Sequence, residues 1–117
     1  MSKILLIDDD LRIRKLYKDE LEEEGCEVIT AATGREGQEV FKREHKTIDL
    51  VLLDILLPDI DGISILKWIK EEKPVIIVSA YDYRDDFAAW VSDDYIIKSS
   101  DLTELKCAAR KLLKISG

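Results

Sequence analysis

A chain of 117 residues, 46% hydrophobic and 37% charged, has the size of one domain and the composition of a soluble globular protein rather than a disordered tail. A formal net charge of −7 argues against sequence-independent binding of nucleic acid, which needs a basic surface, and against an anionic membrane as partner. The longest apolar run is broken by Asp49 and Asp54 and is too short to span a bilayer. Met1-Ser2-Lys3 leads straight into a strand pattern without a secretory signal, so a cytoplasmic location is expected.

Lys3–Ile7, KILLI, is a short, continuous apolar run closed by three aspartates, which predicts a buried strand. Leu11, Ile13, Leu16, Tyr17 and Leu21 then recur at helical spacing, and Gly25 supplies a helix stop. Cys26–Ala31 reads as a second strand. Thr33-Gly34-Arg35-Glu36 has the spacing of a capping box, so a helix is expected from Thr33 to about Arg43. Ile48–Asp54 is the third strand and Gly62–Lys73 the third helix, stopped by Pro74. Val75–Ser79 and Tyr95–Lys98 are the fourth and fifth strands, and Asp101–Ile115 is the last helix. Cys26 and Cys107 lack any metal-like spacing and are expected as buried, reduced thiols. His45, in KREHKT, reads as a solvated loop residue.

Strands alternating with helices imply right-handed parallel crossovers, hence an α/β fold with a five-stranded, doubly wound sheet covered on both faces. Sites in such folds lie beyond the carboxyl ends of the strands, where strand order reverses. Collected there are Asp8, Asp9 and Asp10, Asp54, Ser79 and Lys98. Clustered carboxylates repel, and a cation or a proton must relieve them. An all-oxygen set suits Mg²⁺, which often completes its shell with a phosphate. A carboxylate can also attack phosphorus to give an acyl phosphate, with Lys and Ser stabilising the moving oxygens. Asp9 or Asp10 could alternatively cap the first helix, and Asp61-Gly62 reads as a turn and helix start. Asp54 resists such a reading, because apolar residues flank it on both sides.

The runs KILLIDDD, VLLDILLPDIDG, VIIVSA and DDYIIK occur in one order along nearly the whole chain. With them the sequence resembles the receiver domain of bacterial two-component response regulators, whose fold is flavodoxin-like and shared with the chemotaxis regulator. The resemblance implies a domain spanning residues 1–117 with no output domain in this chain, acting as a phosphorylation-dependent switch rather than a turnover enzyme. It implies Asp54 as phosphoacceptor, with Asp8, Asp9, Asp54 and the Leu56 carbonyl around Mg²⁺. Lys98 would pair with phosphoryl oxygens, Ser79 would be the switch hydroxyl and Tyr95 the aromatic that turns inward with it. Implied partners are a sensor histidine kinase or phosphotransfer protein and an unidentified output partner. The face of the fourth helix, fifth strand and last helix would carry the signal and could pair in a homodimer. Leu56 and Tyr81 match positions flanking the path of attacking water, and their bulk implies slow self-dephosphorylation.

Two features depart from the family pattern. Ser99 replaces a proline that the family joins through a cis peptide, and cis costs about 0.5–1 kcal/mol before proline but about 2.5–4 before other residues. A trans Lys98–Ser99 bond is therefore expected, with Ser100 or Asp101 free to cap the last helix. The segment between Ser79 and Lys98 is short and carries Trp90 and Val91, so the fourth helix is expected to be short or irregular, with Trp90 as a core plug or an output-face anchor. Two other functions compete: a degenerate receiver binding partners without phosphorylation, and a Mg²⁺-dependent aspartyl phosphohydrolase suggested by Asp8-x-Asp10.

Overall fold

The structure, a computed structural model, describes residues 2–80, 91–99 and 101–113. The predicted fourth helix, with Tyr81 and Trp90, and Ser100 lie outside the described residues. Five strands, β1 (Lys3–Ile7), β2 (Glu27–Ala31), β3 (Leu50–Leu53), β4 (Val75–Ser79) and β5 (Asp94–Ile97), form one parallel sheet in the order β2-β1-β3-β4-β5. Helices α1 (Leu11–Glu23), α2 (Gly34–Glu44), α3 (Gly62–Lys70) and α4 (Thr103–Leu113) cover it.

The alternation of strand side chains builds two cores. Leu5 and Ile7 of β1 face Val40, Phe41, Ile65 and Ile69 of α2 and α3. Ile4 and Leu6 face Tyr17 and Leu21 of α1 and Leu105 and Ala109 of α4. Apart from Lys3 at the start of β1 and Ser79 at the end of β4, the central strands are apolar because both of their faces are covered. Across the second core's rim, Lys106 Nζ reaches Glu20 Oε2 at 2.7 Å and Arg110 Nη2 reaches Glu24 Oε2 at 2.6 Å, tying α4 to α1.

Helix ends follow the expected chemistry closely. Asp10 accepts from the Arg12 amide at 2.9 Å, Thr33 Oγ1 from the Glu36 amide at 3.1 Å and Asp61 from the Ile63 amide at 3.0 Å. Helix α1 ends in a Schellman arrangement: Gly25, at φ 90°, donates to the Glu22 carbonyl and Cys26 to that of Leu21. Asp101 accepts from the Thr103 amide and hydroxyl ahead of α4.

Some boundaries and side chains differ from expectation. Helix α3 stops at Lys70 rather than Lys73: Glu72 and Lys73 both donate to the Ile69 carbonyl in a closing turn, and the chain bends into Pro74. Strand pairing in β3 begins at Leu50, since the Asp49 carboxylate holds the Lys3 amide at 2.8 Å. Cys26 is buried and free, but Cys107 is exposed, because α4 turns Leu105, Ala108 and Ala109 inward instead. His45 is no plain loop residue either: it caps α2 half-buried, with Nδ1 3.6 Å from Glu72 Oε2 and its ring 6.1 Å from that of Phe41.

Candidate functional site

The strand order reverses between β1 and β3, and both strands end at the same edge. The ladder extends one residue past each. Asp8 donates its amide to the Ala31 carbonyl at 3.1 Å, Asp54 to that of Ile7 at 3.0 Å, and Lys98 to that of Ser79 at 2.7 Å. Sheet hydrogen bonding therefore holds the backbones of Asp8, Asp54 and Lys98 in place, while their side chains leave the pleated surface at its carboxyl edge.

Carboxylate oxygens of Asp8, Asp9 and Asp54 lie within 4.8 Å of one another. Asp8 and Asp54 are buried and Asp9 is exposed at the mouth. Lys98 Nζ sits between the two buried groups, 2.8 Å from Asp8 Oδ2 and 2.9 Å from Asp54 Oδ2. Asp54 Oδ1 accepts from the Leu56 amide at 2.9 Å, and Asp8 Oδ1 from the Asp10 amide at 2.9 Å. Burial pushes the Asp8 carboxyl above its usual range, against the pull of Lys98 and the Asp10 amide. Burial also works against the Lys98 ammonium, but Asp8 and Asp54 together outweigh it and hold its pKa above the ordinary lysine value.

A divalent cation fits this donor set. Asp8 Oδ2 is buried and has no well-angled hydrogen bond among the described residues, so its charge is met only by proximity to Lys98. All candidate ligands are oxygens, as Mg²⁺ requires. Asp10 points its carboxylate at α1 instead, and its pKa is lowered mainly by the Arg12 amide. Asp10→Ala is therefore expected to lower the melting temperature by about 4–8 °C, the effect of losing a cap worth ~1 kcal/mol. Mg²⁺ affinity should be unchanged to within a factor of about two, since a difference that small is below ~0.5 kcal/mol. Calorimetric titration alongside thermal melting checks both, and a large loss of affinity would make Asp10 a ligand.

Ser79 is fully buried at the end of β4, in register with Ile97 and so next to Lys98. Tyr95 is paired in register with Ile77 and is turned into the core shared with α2 and α3. Leu56, by contrast, is among the few large exposed apolar residues. The Lys98–Ser99 bond is trans, as the missing proline implied. Sequence reasoning missed two contributors. Arg14 donates from Nη1 to the Asp8 carbonyl at 2.8 Å, reaching back from the first turn of α1 to the end of β1. Asp59, in the loop after β3, accepts from the Gly34 and Arg35 amides of α2. Arg14 could have been suspected from its place one turn after the acidic run, whereas Asp59 bonds across 25 residues and has no local signal.

Known proteins are similar to this chain along most of its length. A family model for the response regulator receiver domain matches residues 4–110. The response regulator ArlR of Staphylococcus saprophyticus is 35% identical over 119 residues, covering 97% of this chain and 53% of ArlR. The transcriptional regulatory protein CiaR of Streptococcus pneumoniae is 37% identical over 123 residues, covering all of this chain and 54% of CiaR. The chain thus spans about half the length of the curated relatives it matches. The crystal structure of the response regulator TrrA from Thermotoga maritima in complex with Mg²⁺–BeF has a TM-score of 0.89 and 40% identity, covering 96% of this chain and 99% of that one. TrrA in complex with the histidine kinase ThkA superposes with a TM-score of 0.86 at the same identity, covering 97% and 99%. With its sheet order, its acidic edge and these likenesses in agreement, the chain belongs to the response regulator receiver domains of two-component systems.

Proposed function

We propose that this domain is a phosphorylation switch in which Asp54 is the phosphoacceptor. The observation that carries the reading is the Asp8–Asp54–Lys98 trio, buried at the strand-order reversal with Asp9 at its mouth. One Asp54 oxygen attacks the phosphorus of a phosphohistidine or small acyl phosphate. The bond from phosphorus to the donor's nitrogen or oxygen breaks, and an acyl phosphate forms on Asp54. Asp8, Asp9, Asp54 and the Leu56 carbonyl would hold Mg²⁺, which neutralises phosphoryl charge when bound. Lys98, already held by both carboxylates, is placed to pair with a phosphoryl oxygen, and Ser79 to offer a hydroxyl from the adjoining strand.

The same reading gives the domain a sensor kinase or phosphotransfer protein as donor, in line with the ThkA complex of its structural relative. A response through Ser79 and Tyr95 would alter the face around β5 and α4, where an output partner or a second copy would dock. The phosphohydrolase reading loses its support because Asp10 caps α1. Incubation with acetyl phosphate and Mg²⁺, followed by intact mass, should show the gain of one phosphoryl group, abolished by EDTA. No gain from either acetyl phosphate or a cognate kinase would reject the proposal in favour of a binding module.

A further inference from the structure

We propose that Asp59 is a positioning residue, which anchors the loop carrying the metal-facing backbone of Leu56 to the amino end of α2. The inference rests on the phosphoacceptor reading above and adds to it a second support for the site, remote from the sheet.

The loop from Ile55 to Asp61 leaves β3 just after Asp54, and its near end is well held. The Leu56 amide donates to Asp54 Oδ1, and Asp61 caps α3. At Gly62 the chain passes so close to Ile55 that a Cβ would lie 2.4 Å from the Ile55 carbonyl oxygen, so the loop closes tightly on its own start. Its middle is held from outside. Asp59 Oδ1 accepts from the Gly34 amide at 2.9 Å and Oδ2 from the Arg35 amide at 3.1 Å, bridging two donors that α2 leaves unpaired. These amides lower the Asp59 pKa, so the clamp is made by the carboxylate. Beside it Ile60 fills the space over Gly34, where a Cβ would stand 1.8 Å from Ile60 Cγ2. Helix α2 already has its own cap in Thr33, which bonds Glu36. Thr33 serves the Glu36 amide and Asp59 those of Gly34 and Arg35, but only Asp59 ties the start of α2 to the loop.

The two caps allow a clean comparison. Both Asp59→Ala and Thr33→Ala remove an acceptor from the start of α2, but only the first releases the loop. Asp59→Ala is expected to speed hydrogen exchange at the Leu56 amide about tenfold and to weaken Mg²⁺ binding about three- to tenfold, the range of one lost cap. Thr33→Ala should lower the melting temperature comparably while leaving both readouts within about twofold of wild type. Asp59→Asn, which keeps one acceptor for Gly34, should recover part of the loss and serves as the folded variant if alanine is too damaging. Equal effects of Asp59→Ala and Thr33→Ala at Leu56 overturn the inference, as does faster exchange with unchanged Mg²⁺ affinity. Failure of the wild type to bind Mg²⁺ would instead strike the metal reading, and Leu56 exchange would still decide whether Asp59 holds the loop.

Discussion

Asp54→Asn is expected to gain no phosphoryl group from acetyl phosphate under conditions in which the wild type gains one. The amide has no anionic oxygen to attack phosphorus, and no neighbouring carboxylate can replace it without moving. Asp8 is fixed by the Asp10 amide and by Lys98, and Asp9 lies at the exposed mouth. The variant should keep its fold, because an asparagine carbonyl can still accept from the Leu56 amide where Asp54 Oδ1 now does, at 2.9 Å. Its NH₂ would face Lys98 Nζ, which Asp54 Oδ2 now meets at 2.9 Å, so Lys98 turns wholly to Asp8. Intact mass with a parallel melting curve separates lost chemistry from lost structure. Wild-type phosphorylation of the variant would remove Asp54 from its role.

Lys98→Met is expected to destabilise the metal-free domain by about 2–4 kcal/mol, a fall in melting temperature of roughly 10–20 °C. Methionine matches the lysine stem but leaves two buried carboxylates facing each other without a cation. The side chain of Lys98 is mostly buried, so solvent screens this loss only in part. Mg²⁺ should raise the melting temperature of the variant by more than that of wild type, since the carboxylates then have no other counter-charge. The pH dependence has a definite sign. Because the folded pKa of Lys98 is raised, its contribution is complete below the ordinary lysine value of 10.5 and is lost as pH climbs through the folded value. Wild type should lose that increment at alkaline pH and the variant should lack it. Asp8, whose pKa is also raised, shifts stability in the same direction in its own, acidic range: its ionised form costs stability above the folded pKa, and acidification through that pKa relieves the cost. An unchanged melting temperature in Lys98→Met would show that the carboxylates are neutralised by something else.

The sheet was readable because four of its five strands are short, mostly apolar runs ending at a polar residue, and those four residues supply side chains of the site. Asp8, Asp54 and Lys98 are the first residues past their strands and Ser79 is the last of its own, so strand ends and site were read in one step. Caps were legible for the same reason, since Asp10, Thr33 and Asp61 act on amides two or three residues away. Contacts that bridge long stretches of chain were not. Asp59 drew no reading at all, and Asp93 gave no hint that it would hold both Lys70 and the Val75 amide. Cys107 was misjudged because a helical stripe shows which residues share a face, but the exact edge of that face depends on how α4 is rotated against β5.

The two ion pairs between α1 and α4 have a mechanical consequence. Glu20 and Glu24 are one turn apart, and so are Lys106 and Arg110, so the charges mesh like matched teeth on two parallel racks. Sliding α4 by a full turn would set Arg110 against Glu20 and leave Lys106 without its tooth. Smaller slides would disengage both. Each pair alone is weak in water, yet together they make the position of α4 discrete rather than continuous. Any movement this helix makes should therefore occur as a step or a pivot, not as a gradual drift.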